Sequence, residues 1–548
     1  MKVLFLMSHA GQARNFESTV RGLAERGHEV HMGFDRLEKR NLPGLSDLAE
    51  TLVEEYYGVT SGPVPRPSKD DWAVVSSRIR ASLDYVRYLG PEFKDAPKLR
   101  RRAEGFAPPR VAKIVGPLPK PGKAVARRAL KRAERATPIS EPIRAYLEQL
   151  APDVVLVTPL LEPGTFQTEF LRAANDLGIP TCHCVASWDN LTTKGLIHEL
   201  PDVITVWNED QVREAVELHN VPAERVVVTG GVPYDHWFGW SPSRSREEFA
   251  AATGLDPKRP FVLYVGSSGF IAPDEAGYII EWIRALEREG LGDIQVLARP
   301  HPVNPLRGDK PSQRELLTLE NVVLYPPAGA NPTNVEARQD YFDSLYYSSA
   351  VAGVNTTAFL EAAIVGRPVF TVLADHYAET QRGVLHFHHL LTAGGGLLNA
   401  AESYEDHAND LREALAAHHP EGCVSERSQR FVAAFIRPYG VDEPATPRML
   451  AAIEELGELQ KEPGVAISRS LSGRMLSRKV RREIDKEADR RKRAKHAQNR
   501  ELAERRAAAK ATKAAAKASK PTKAEKLAKE KESKTDQGEK DSGRQEAA

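Results

Sequence analysis

The chain has 548 residues, of which 41% are hydrophobic, so it exceeds one ordinary core and is long enough for two domains of about 200 residues each. Its three cysteines are too few for a disulfide framework, and the Cys182-X-Cys184 pair alone is weak support for a metal site. No apolar segment reaches the ~20 residues that cross a bilayer, which argues against a membrane-spanning protein.

The net charge of +1 hides a basic C-terminal region. From Val465 to Ala548, lysines and arginines outnumber acids about two to one, and large apolar residues are scarce in the later part. Such a composition cannot build a core. We therefore predict a separate basic tail over 465–548, helical from about Arg478 to Arg506 and largely disordered beyond.

The N-terminus predicts a βαβ unit: a strand over Val3–Met7, a helix over Phe16–Arg26 and a strand over His28–Phe34. The loop after the first strand lies at the carboxyl edge of the sheet, where open α/β domains bind ligands. His9 lies in this loop and is a candidate general base. A structural or exposed histidine is the alternative.

The βα alternation then stops over a basic insertion at about 58–138, where lysines and arginines mix with prolines and apolar residues. This composition suits docking on an anionic membrane or holding a phosphorylated acceptor. A solvated helical cover over the first domain is the alternative. Nucleic-acid binding is disfavoured, because no recognisable module accompanies the charge.

The alternation resumes with a strand over Thr181–Val185, followed by the loop SWDNLTTKG, Ser187–Gly195. Asp189 in this loop can orient or deprotonate a substrate hydroxyl, although Asp and Asn also form ordinary turns. Glycines 230 and 231 then suit a hinge. We place the domain boundary after Asp235, which gives a first domain over 1–235 and a second over 236–464.

The second domain begins with a strand over Phe261–Val265, and small residues follow it at Gly266 and Ser267, where backbone amides can approach a phosphate. The next strand leads into Arg-Pro-His-Pro. Its prolines stiffen a loop in which Arg299 can pair with phosphate and His301 can donate to it.

The segment Val351–Phe370 predicts a strand, a polar turn, a helix and another strand. Asn355, Thr356 and Thr357 occupy the turn as N-cap residues, at a helix start that can receive a phosphate. Glu361, about one turn later, can accept from a ribose. The alternative is that the turn only caps and Glu361 is a solvated carboxylate.

Four motifs occur in an order that resembles GT-B glycosyltransferases. They are RGHEV from Arg26, VTGGVPYD from Val228, RPHPVNP from Arg299 and GVNTTAFLEAAIVGRPV from Gly353. The sequence is most similar to enzymes of bacterial surface-polysaccharide synthesis and to their relatives, the UDP-N-acetylglucosamine 2-epimerases and CDP-glycerol glycerophosphotransferases. The resemblance covers about Met1–Leu456 and excludes the insertion and the tail.

The resemblance implies an α/β fold of two Rossmann-like doubly wound domains facing a cleft. It implies a nucleotide-sugar donor such as a UDP-sugar in the second domain, an acceptor in the first, and no metal or other cofactor. The resemblance also implies that the nucleotide is contacted by Gly266, Ser267, Arg299, His301, Asn355, Thr356, Thr357 and Glu361. His9 and Asp189 are the catalytic candidates.

The departures from the motifs favour glycosyl transfer. The epimerases carry a double glutamate where this chain has Leu360-Glu361, and the glycerophosphotransferases carry a lysine after His-Pro that 303–305 lacks. Epimerase or glycerophosphotransferase activity stays an alternative, as does a non-catalytic nucleotide-sugar-binding protein of polysaccharide assembly. We expect a cytoplasmic protein, with the basic tail or insertion as a contact to the inner face of the cell membrane.

Overall fold

The computed structural model describes residues 1–36, 46–67, 71–306, 308–326, 334–417 and 424–464, with isolated positions from 475 to 500. Met1–Ser477 form one compact unit and Arg478–Ala548 form another. Most of the predicted tail lies outside the described residues, although positions 478, 482, 486, 489, 493 and 500 are helical.

A parallel sheet organises the first half of the chain. Its strands, within the described residues, are β1 (Lys2–Met7), β2 (Glu29–Phe34), β3 (Val59–Pro63), β4 (Val154–Thr158), β5 (Thr181–Cys184), β6 (Val203–Val206) and β7 (Val226–Val228). Their order is β3-β2-β1-β4-β5-β6-β7, with Val3 of β1 opposite Val30 of β2 and Val154 of β4. This is the Rossmann order, in which the strand order reverses beside β1 and leaves a ligand crevice at the carboxyl ends.

Helices cover both faces of this sheet. They are α1 (Glu17–Glu25), α2 (Asp47–Glu55), α3 (Asp71–Arg87), α4 (Pro97–Phe106), α5 (Pro109–Val115), α6 (Lys120–Arg135), α7 (Glu141–Leu150), α8 (Gln167–Leu177), α9 (Asn190–Thr193) and α10 (Glu209–His219). The core strands are buried on both faces, which explains why they are continuous apolar runs in the sequence.

The basic insertion differs from its prediction at its start. Strand β3 lies inside the range 58–138 and pairs with β2, so the sheet continues one strand further than predicted. The inserted helices α3 to α6 follow it. A buried ion pair joins Arg80 of α3 to Glu134 of α6 at 2.8 Å and to Glu169 of α8 at 2.7 Å, which fastens these helices to the first domain.

A second parallel sheet organises the rest of the body. The part of the chain that the structure describes gives it β8 (Phe261–Val265), β9 (Gln295–Arg299), β10 (Val322–Leu324), β11 (Ala350–Ala352), β12 (Val369–Val372) and β13 (Leu398–Ala401). The order β10-β9-β8-β11-β12-β13 repeats the Rossmann reversal beside β8. Its helices are α11 (Arg246–Thr253), α12 (Glu275–Arg288), α13 (Pro311–Leu316), α14 (Val335–Tyr347), α15 (Ala358–Ile364), α16 (Leu385–Thr392), α17 (Tyr404–Ala416) and α18 (Glu426–Phe431).

The last helix of the body, α19 (Thr446–Gly457), crosses back to the first sheet. Met449, Leu450, Ile453 and Leu456 join the same core as the residues of β1 and α1. Asp235 fixes the start of α19, because its carboxylate accepts from the N–H groups of Ala445 at 3.0 Å and Thr446 at 2.7 Å. It also pairs with Arg437 at 3.1 Å.

Within the described residues, no helix combines the length and the apolar character that crossing a membrane requires.

Candidate active site

A cleft of about 490 Å³ lies between the two sheets, at the carboxyl ends of β1, β8 and β9. Its walls include most of the predicted site residues: Asp189, Gly266, Arg299, His301, Thr356, Thr357 and Glu361. His9, Ser267 and Asn355 are buried and do not belong to its described lining. The structure therefore brings together seven of the ten residues that the sequence predicts.

Gly266 lets two loops of the second domain meet at the cleft. A Cβ atom at this position would lie 2.6 Å from the backbone nitrogen of His301 and 3.0 Å from the carbonyl oxygen of Arg299. The Gly266 N–H donates to that carbonyl at 2.9 Å. Glycine is required here by the close approach of the Arg-Pro-His-Pro loop.

Ser267 is fully buried and does not belong to the described lining of the cleft, which departs from its predicted nucleotide contact. Its N–H donates to both carboxyl oxygens of Glu275, at 2.8 and 2.9 Å, and Tyr264 donates to the same group at 3.3 Å. Burial raises the pKa of Glu275 to about 8. Ser267 and Glu275 thus hold the shape of the loop that carries Gly266.

The raised pKa of Glu275 predicts a pH-dependent stability. Between the ordinary pKa of 4.5 and the folded pKa of about 8, Glu275 is protonated when folded and ionised when unfolded. The contribution of Glu275 to the free energy of unfolding is therefore complete below pH 4.5. It falls by about 1.4 kcal/mol per pH unit as the pH rises from there towards 8. We expect Glu275→Gln to remove this slope in urea denaturation measured from pH 5 to 8. The exposed Glu287→Gln on the same helix is the control, and equal slopes in Glu275→Gln and the wild type would contradict the assignment.

Arg299 lies in the cleft wall but is already paired. Its guanidinium donates to the Asp340 carboxylate at 3.0 Å and to the Ser344 hydroxyl at 2.6 Å, and it lies over the Tyr341 ring at 5.3 Å. Since Asp340 offsets the charge of Arg299, we expect Arg299 to bind a phosphate less strongly than the sequence predicts.

His301 is oriented as a hydrogen-bond donor to the cleft. Its Nδ1 accepts from the N–H of Val303 at 3.2 Å, and burial lowers its pKa, which favours the neutral ring. In that ring the proton resides on Nε2. This agrees with the donor role that the sequence predicts for His301.

The residues of the Asn-Thr-Thr turn differ in their environment: the asparagine is buried, and the two threonines line the cleft. The side chain of Asn355 is buried and donates to the Thr380 carbonyl at 2.6 Å. Thr356 and Thr357 face the cleft, where the Thr357 hydroxyl accepts from Trp188 Nε1 of the first domain at 3.3 Å. Thr357 is the N-cap by position but its side chain makes no capping bond, whereas the Thr356 hydroxyl accepts from the N–H of Ala358, the first residue of α15, at 3.4 Å.

Glu361 lies on α15 and is not the solvated carboxylate of the alternative interpretation. Tyr341 donates to its Oε2 at 2.5 Å. Burial raises the pKa of Glu361, while Tyr341 and Arg14 act in the opposite direction. Arg14 belongs to the first domain, so this pair of charges faces across the cleft.

Asp189 lies in the first-domain wall, at the start of α9. Its carboxylate accepts from the hydroxyls of Ser187 at 2.7 Å and Thr193 at 2.8 Å. Burial would raise the pKa of Asp189, but Lys194, His386 and these hydroxyls outweigh it and lower the pKa to about 2. A carboxylate with so low a pKa is a weak proton acceptor near neutral pH, so the geometry favours a role in orienting the loop.

The insertion supports the loop that carries Asp189. The buried guanidinium of Arg87 donates to the carbonyls of Lys194 at 3.0 Å and Gly195 at 2.9 Å, and Tyr88 donates to Lys194 at 2.6 Å. Arg102 donates to the carbonyl of Thr193. Carbonyls that would otherwise lack partners in a buried loop are thus satisfied by inserted helices.

The cleft is also lined by charged and aromatic residues that the sequence analysis does not name as site residues. Arg14, Glu162, Lys194, His236, Trp240 and Arg338 line it. Arg14 is exposed within the cleft, and it follows β1 in the same edge loop as His9. That position at the carboxyl edge was the signal that could have identified it.

The aromatic wall of the cleft lies next to the hinge. The rings of His236 and Trp240 lie 4.9 Å apart, and those of Trp237 and Trp240 lie 5.3 Å apart. Burial lowers the pKa of His236 to about 4, so its ring is neutral at physiological pH. Such a surface suits the flat face of a nucleobase or sugar.

Among the described residues, no three His, Cys, Asp or Glu side chains cluster in a way that could hold a metal ion. The expectation that no metal or cofactor is needed stays a prediction.

No protein-family model matches the chain, and no curated protein matches it. Among solved structures, it is similar to S. aureus MnaA in a co-structure with UDP, with a TM-score of 0.48 and 14% identity over 84% of this chain and 99% of that chain. It is similar to the UDP-GlcNAc 2-epimerase from Neisseria meningitidis bound to UDP-GlcNAc, with a TM-score of 0.45 and 14% identity over 83% of this chain and 100% of that one. It is also similar to a glycosyltransferase from Rickettsia africae ESF-5, with a TM-score of 0.46 and 9% identity over 83% of this chain and 99% of that chain.

These TM-scores lie below 0.5, so the fold is assigned from the strand orders and the cleft. The predicted fold class is confirmed: two Rossmann-like parallel sheets with covering helices face a cleft, which is the GT-B arrangement. The boundary at Asp235 and the roles of the site residues stay predictions.

Proposed function

We propose that the protein is a glycosyltransferase that moves a sugar from a nucleotide-sugar donor to a cell-surface polysaccharide or a lipid-linked acceptor. The observation that supports this most is the composition of the cleft. Its second-domain wall holds hydroxyls, an imidazole, one carboxylate and two arginines, and its first-domain wall holds two cations and two carboxylates. A reaction between two substrates requires such a two-sided site.

We assign the donor to the second-domain wall, with its diphosphate between the two domains. Arg14 and Arg338 line the cleft there together with Arg299. Cations in a cleft that closes are able to stabilise the negative charge on a departing nucleoside diphosphate. Thr356 and Thr357 are assigned to the same diphosphate, and Glu361 to a ribose or sugar hydroxyl.

We assign the proton acceptor to Glu162, in preference to His9 and Asp189. Glu162 lines the cleft from the loop after β4, whereas His9 is buried outside the described lining. Asp189 is held ionised by the charges of Lys194 and His386 and by its hydrogen bonds. In the reaction, the acceptor hydroxyl gives its proton to the Glu162 carboxylate and its oxygen forms the bond to the anomeric carbon. The bond from that carbon to the diphosphate breaks, and the nucleoside diphosphate leaves with the electron pair.

Turnover of a donor panel tests the proposal. The purified protein is incubated with UDP-, GDP-, CDP- and dTDP-sugars and with CDP-glycerol, with and without a membrane extract, and nucleotide release is measured. We expect release of a nucleoside diphosphate that depends on the extract. Interconversion of the donor sugar would favour an epimerase, CMP from CDP-glycerol a glycerophosphotransferase, and binding without release a nucleotide-sugar-binding protein.

Replacing Arg14 with methionine is expected to weaken binding of the nucleoside diphosphate by about 1.5–3 kcal/mol, which is about 10- to 100-fold, because a charged hydrogen bond is lost. Calorimetry with UDP, or with the nucleotide found in the panel, measures it. Arg284→Met is the matched control, since Arg284 is exposed, pairs with Glu315 and lies outside the cleft. Unchanged affinity in a folded Arg14→Met protein would remove Arg14 from the site.

We further propose a cytoplasmic protein that contacts anionic lipid at the inner face of the membrane through its basic tail. The charge excess of 465–548 supports this. A truncation after Pro463 that binds phosphatidylglycerol vesicles as well as the full chain would overturn it.

A further inference from the structure

A second cavity, here called the side cavity, lies between the insertion and the first domain. It has a volume of about 140 Å³ and is lined by parts of α3 and α4, the segments 160–165 and 194–196, Thr168 of α8, and His198. Glu162 and Lys194 line both the side cavity and the main cleft, so the two spaces adjoin. As far as the structure describes the lining, it contains no residue of the second domain.

Most charged side chains of the side cavity are already occupied. Asp84 accepts from the N–H of Leu196 at 2.7 Å and contacts His198 at 3.1 Å. Arg80 is paired with Glu134 and Glu169. These groups shape the cavity and leave little polar capacity for a ligand.

Apolar side chains and three further cations, Arg78, Arg102 and Lys194, also line the side cavity, and Arg102 donates to the carbonyl of Thr193. Leu160, Leu161 and Ala103 line the side cavity and are buried, while Phe106 is 54% exposed at the end of α4. The ammonium of Lys194 has no hydrogen bond or ion pair with any described residue, although its charge acts on Asp189 at a distance. An exposed phenylalanine and an available ammonium in the lining of one cavity fit a ligand that joins an apolar segment to an anionic group.

The backbone provides an independent sign of a ligand site. Leu160 has a φ of 52°, in the left-handed region that side chains other than glycine rarely adopt. Its N–H is held by the side chain of Gln167 at 2.9 Å, which in turn donates to the Thr158 carbonyl at 2.7 Å. Such strained positions, maintained by buried hydrogen bonds, concentrate at ligand sites.

We propose that the side cavity binds the acceptor, that the acceptor carries an apolar segment next to a phosphate, and that Lys194 binds this phosphate. This inference rests on the proposed function, because it assigns the acceptor of that same reaction. A cavity of about 140 Å³ is smaller than a typical ligand pocket of about 300–1,000 Å³, so it takes one part of the acceptor and leaves the hydroxyl in the cleft beside Glu162. The insertion then selects the acceptor.

Binding of decyl phosphate, measured by calorimetry below its critical micelle concentration, tests the inference. We expect the wild type to bind decyl phosphate and to bind decanol and inorganic phosphate at least about tenfold more weakly, since each lacks one half of the ligand. Lys194→Met removes the ammonium, and Ala81→Leu fills the cavity from α3. Both variants should weaken decyl phosphate binding at least about tenfold. Ala129→Leu, at an exposed position of α6, is the control and should bind as the wild type does.

Each other outcome overturns the inference in a distinct way. Inorganic phosphate that binds as tightly as decyl phosphate would show an anion site without an apolar part. Decyl phosphate binding that is absent, or equal in all four folded proteins, would show that the side cavity holds no such ligand. Loss of UDP affinity in Lys194→Met would assign Lys194 to the donor. Decyl phosphate binding needs no nucleotide, so it decides whether the side cavity binds such a ligand even if the donor panel refutes the transferase, in which case only the assignment of that ligand as the acceptor fails.

Discussion

Replacing Asp235 with alanine is expected to lower the free energy of unfolding by about 3–5 kcal/mol, because it leaves the Arg437 guanidinium buried without its partner. Both side chains are buried, with 6% and 8% of their surfaces exposed. The change also removes the acceptor for the N–H groups of Ala445 and Thr446 and for the Thr446 hydroxyl. Urea denaturation followed by tryptophan fluorescence measures the loss.

Asp293→Ala is the matched control for this prediction, since Asp293 is exposed. Its expected effect is within about 0.5 kcal/mol, as is usual for surface substitutions. A loss below 1 kcal/mol in Asp235→Ala would mean that packing of α19 on the first sheet holds the helix without its anchor.

Replacing Glu162 with glutamine is expected to lower the transfer rate by about a hundredfold or more, since glutamine cannot accept the hydroxyl proton. That is about 2.7 kcal/mol of transition-state stabilisation. Affinity for the donor nucleotide should stay near the wild-type value, because the donor is assigned to the other wall of the cleft. The measurement is single-turnover transfer with the donor and extract identified by the panel.

Asp189→Asn and His9→Ala make the comparison decisive. If Glu162 is the proton acceptor, Asp189→Asn should reduce the rate less, through a loosened loop, and His9→Ala should have the smallest effect. A larger loss in Asp189→Asn than in Glu162→Gln would return the role of base to Asp189, as the sequence predicts. A larger loss in His9→Ala would require His9 to reach the cleft by movement of its loop.

The fold could be predicted because its central strands are apolar runs buried on both faces. Phe261–Val265 was predicted with its observed bounds, and β1 began one residue earlier than predicted. The sheet edges could not be predicted in the same way. Strand β3, Val-Thr-Ser-Gly-Pro, is largely exposed and has no apolar run, so nothing in its sequence separates it from a loop.

The placement of His301, Thr356, Thr357 and Glu361 in the cleft wall could be predicted, because residue type and position at the sheet edge suffice for it. The availability of a side chain for a ligand could not be predicted where that side chain pairs with a residue distant in sequence. Arg299 pairs with Asp340, which is far along the chain and on another element. Asn355 and Ser267 have the polarity of ligand contacts, yet both are buried and lie outside the described lining of the cleft.

The return of α19 means that the polypeptide passes between the two domains twice. The first passage contains Gly230, with a φ of 95°, and the second runs from Ile436 to Ala445 beside it; a Cβ on Gly230 would lie 2.9 Å from the Cβ of Ala445. Two adjacent passages restrict the relative motion of the domains more than a single linker would. We expect any opening of the cleft to be a rotation close to these passages, where the Asp235–Arg437 pair lies. It also follows that residues 1–235 expressed alone would lack the helix that covers their sheet.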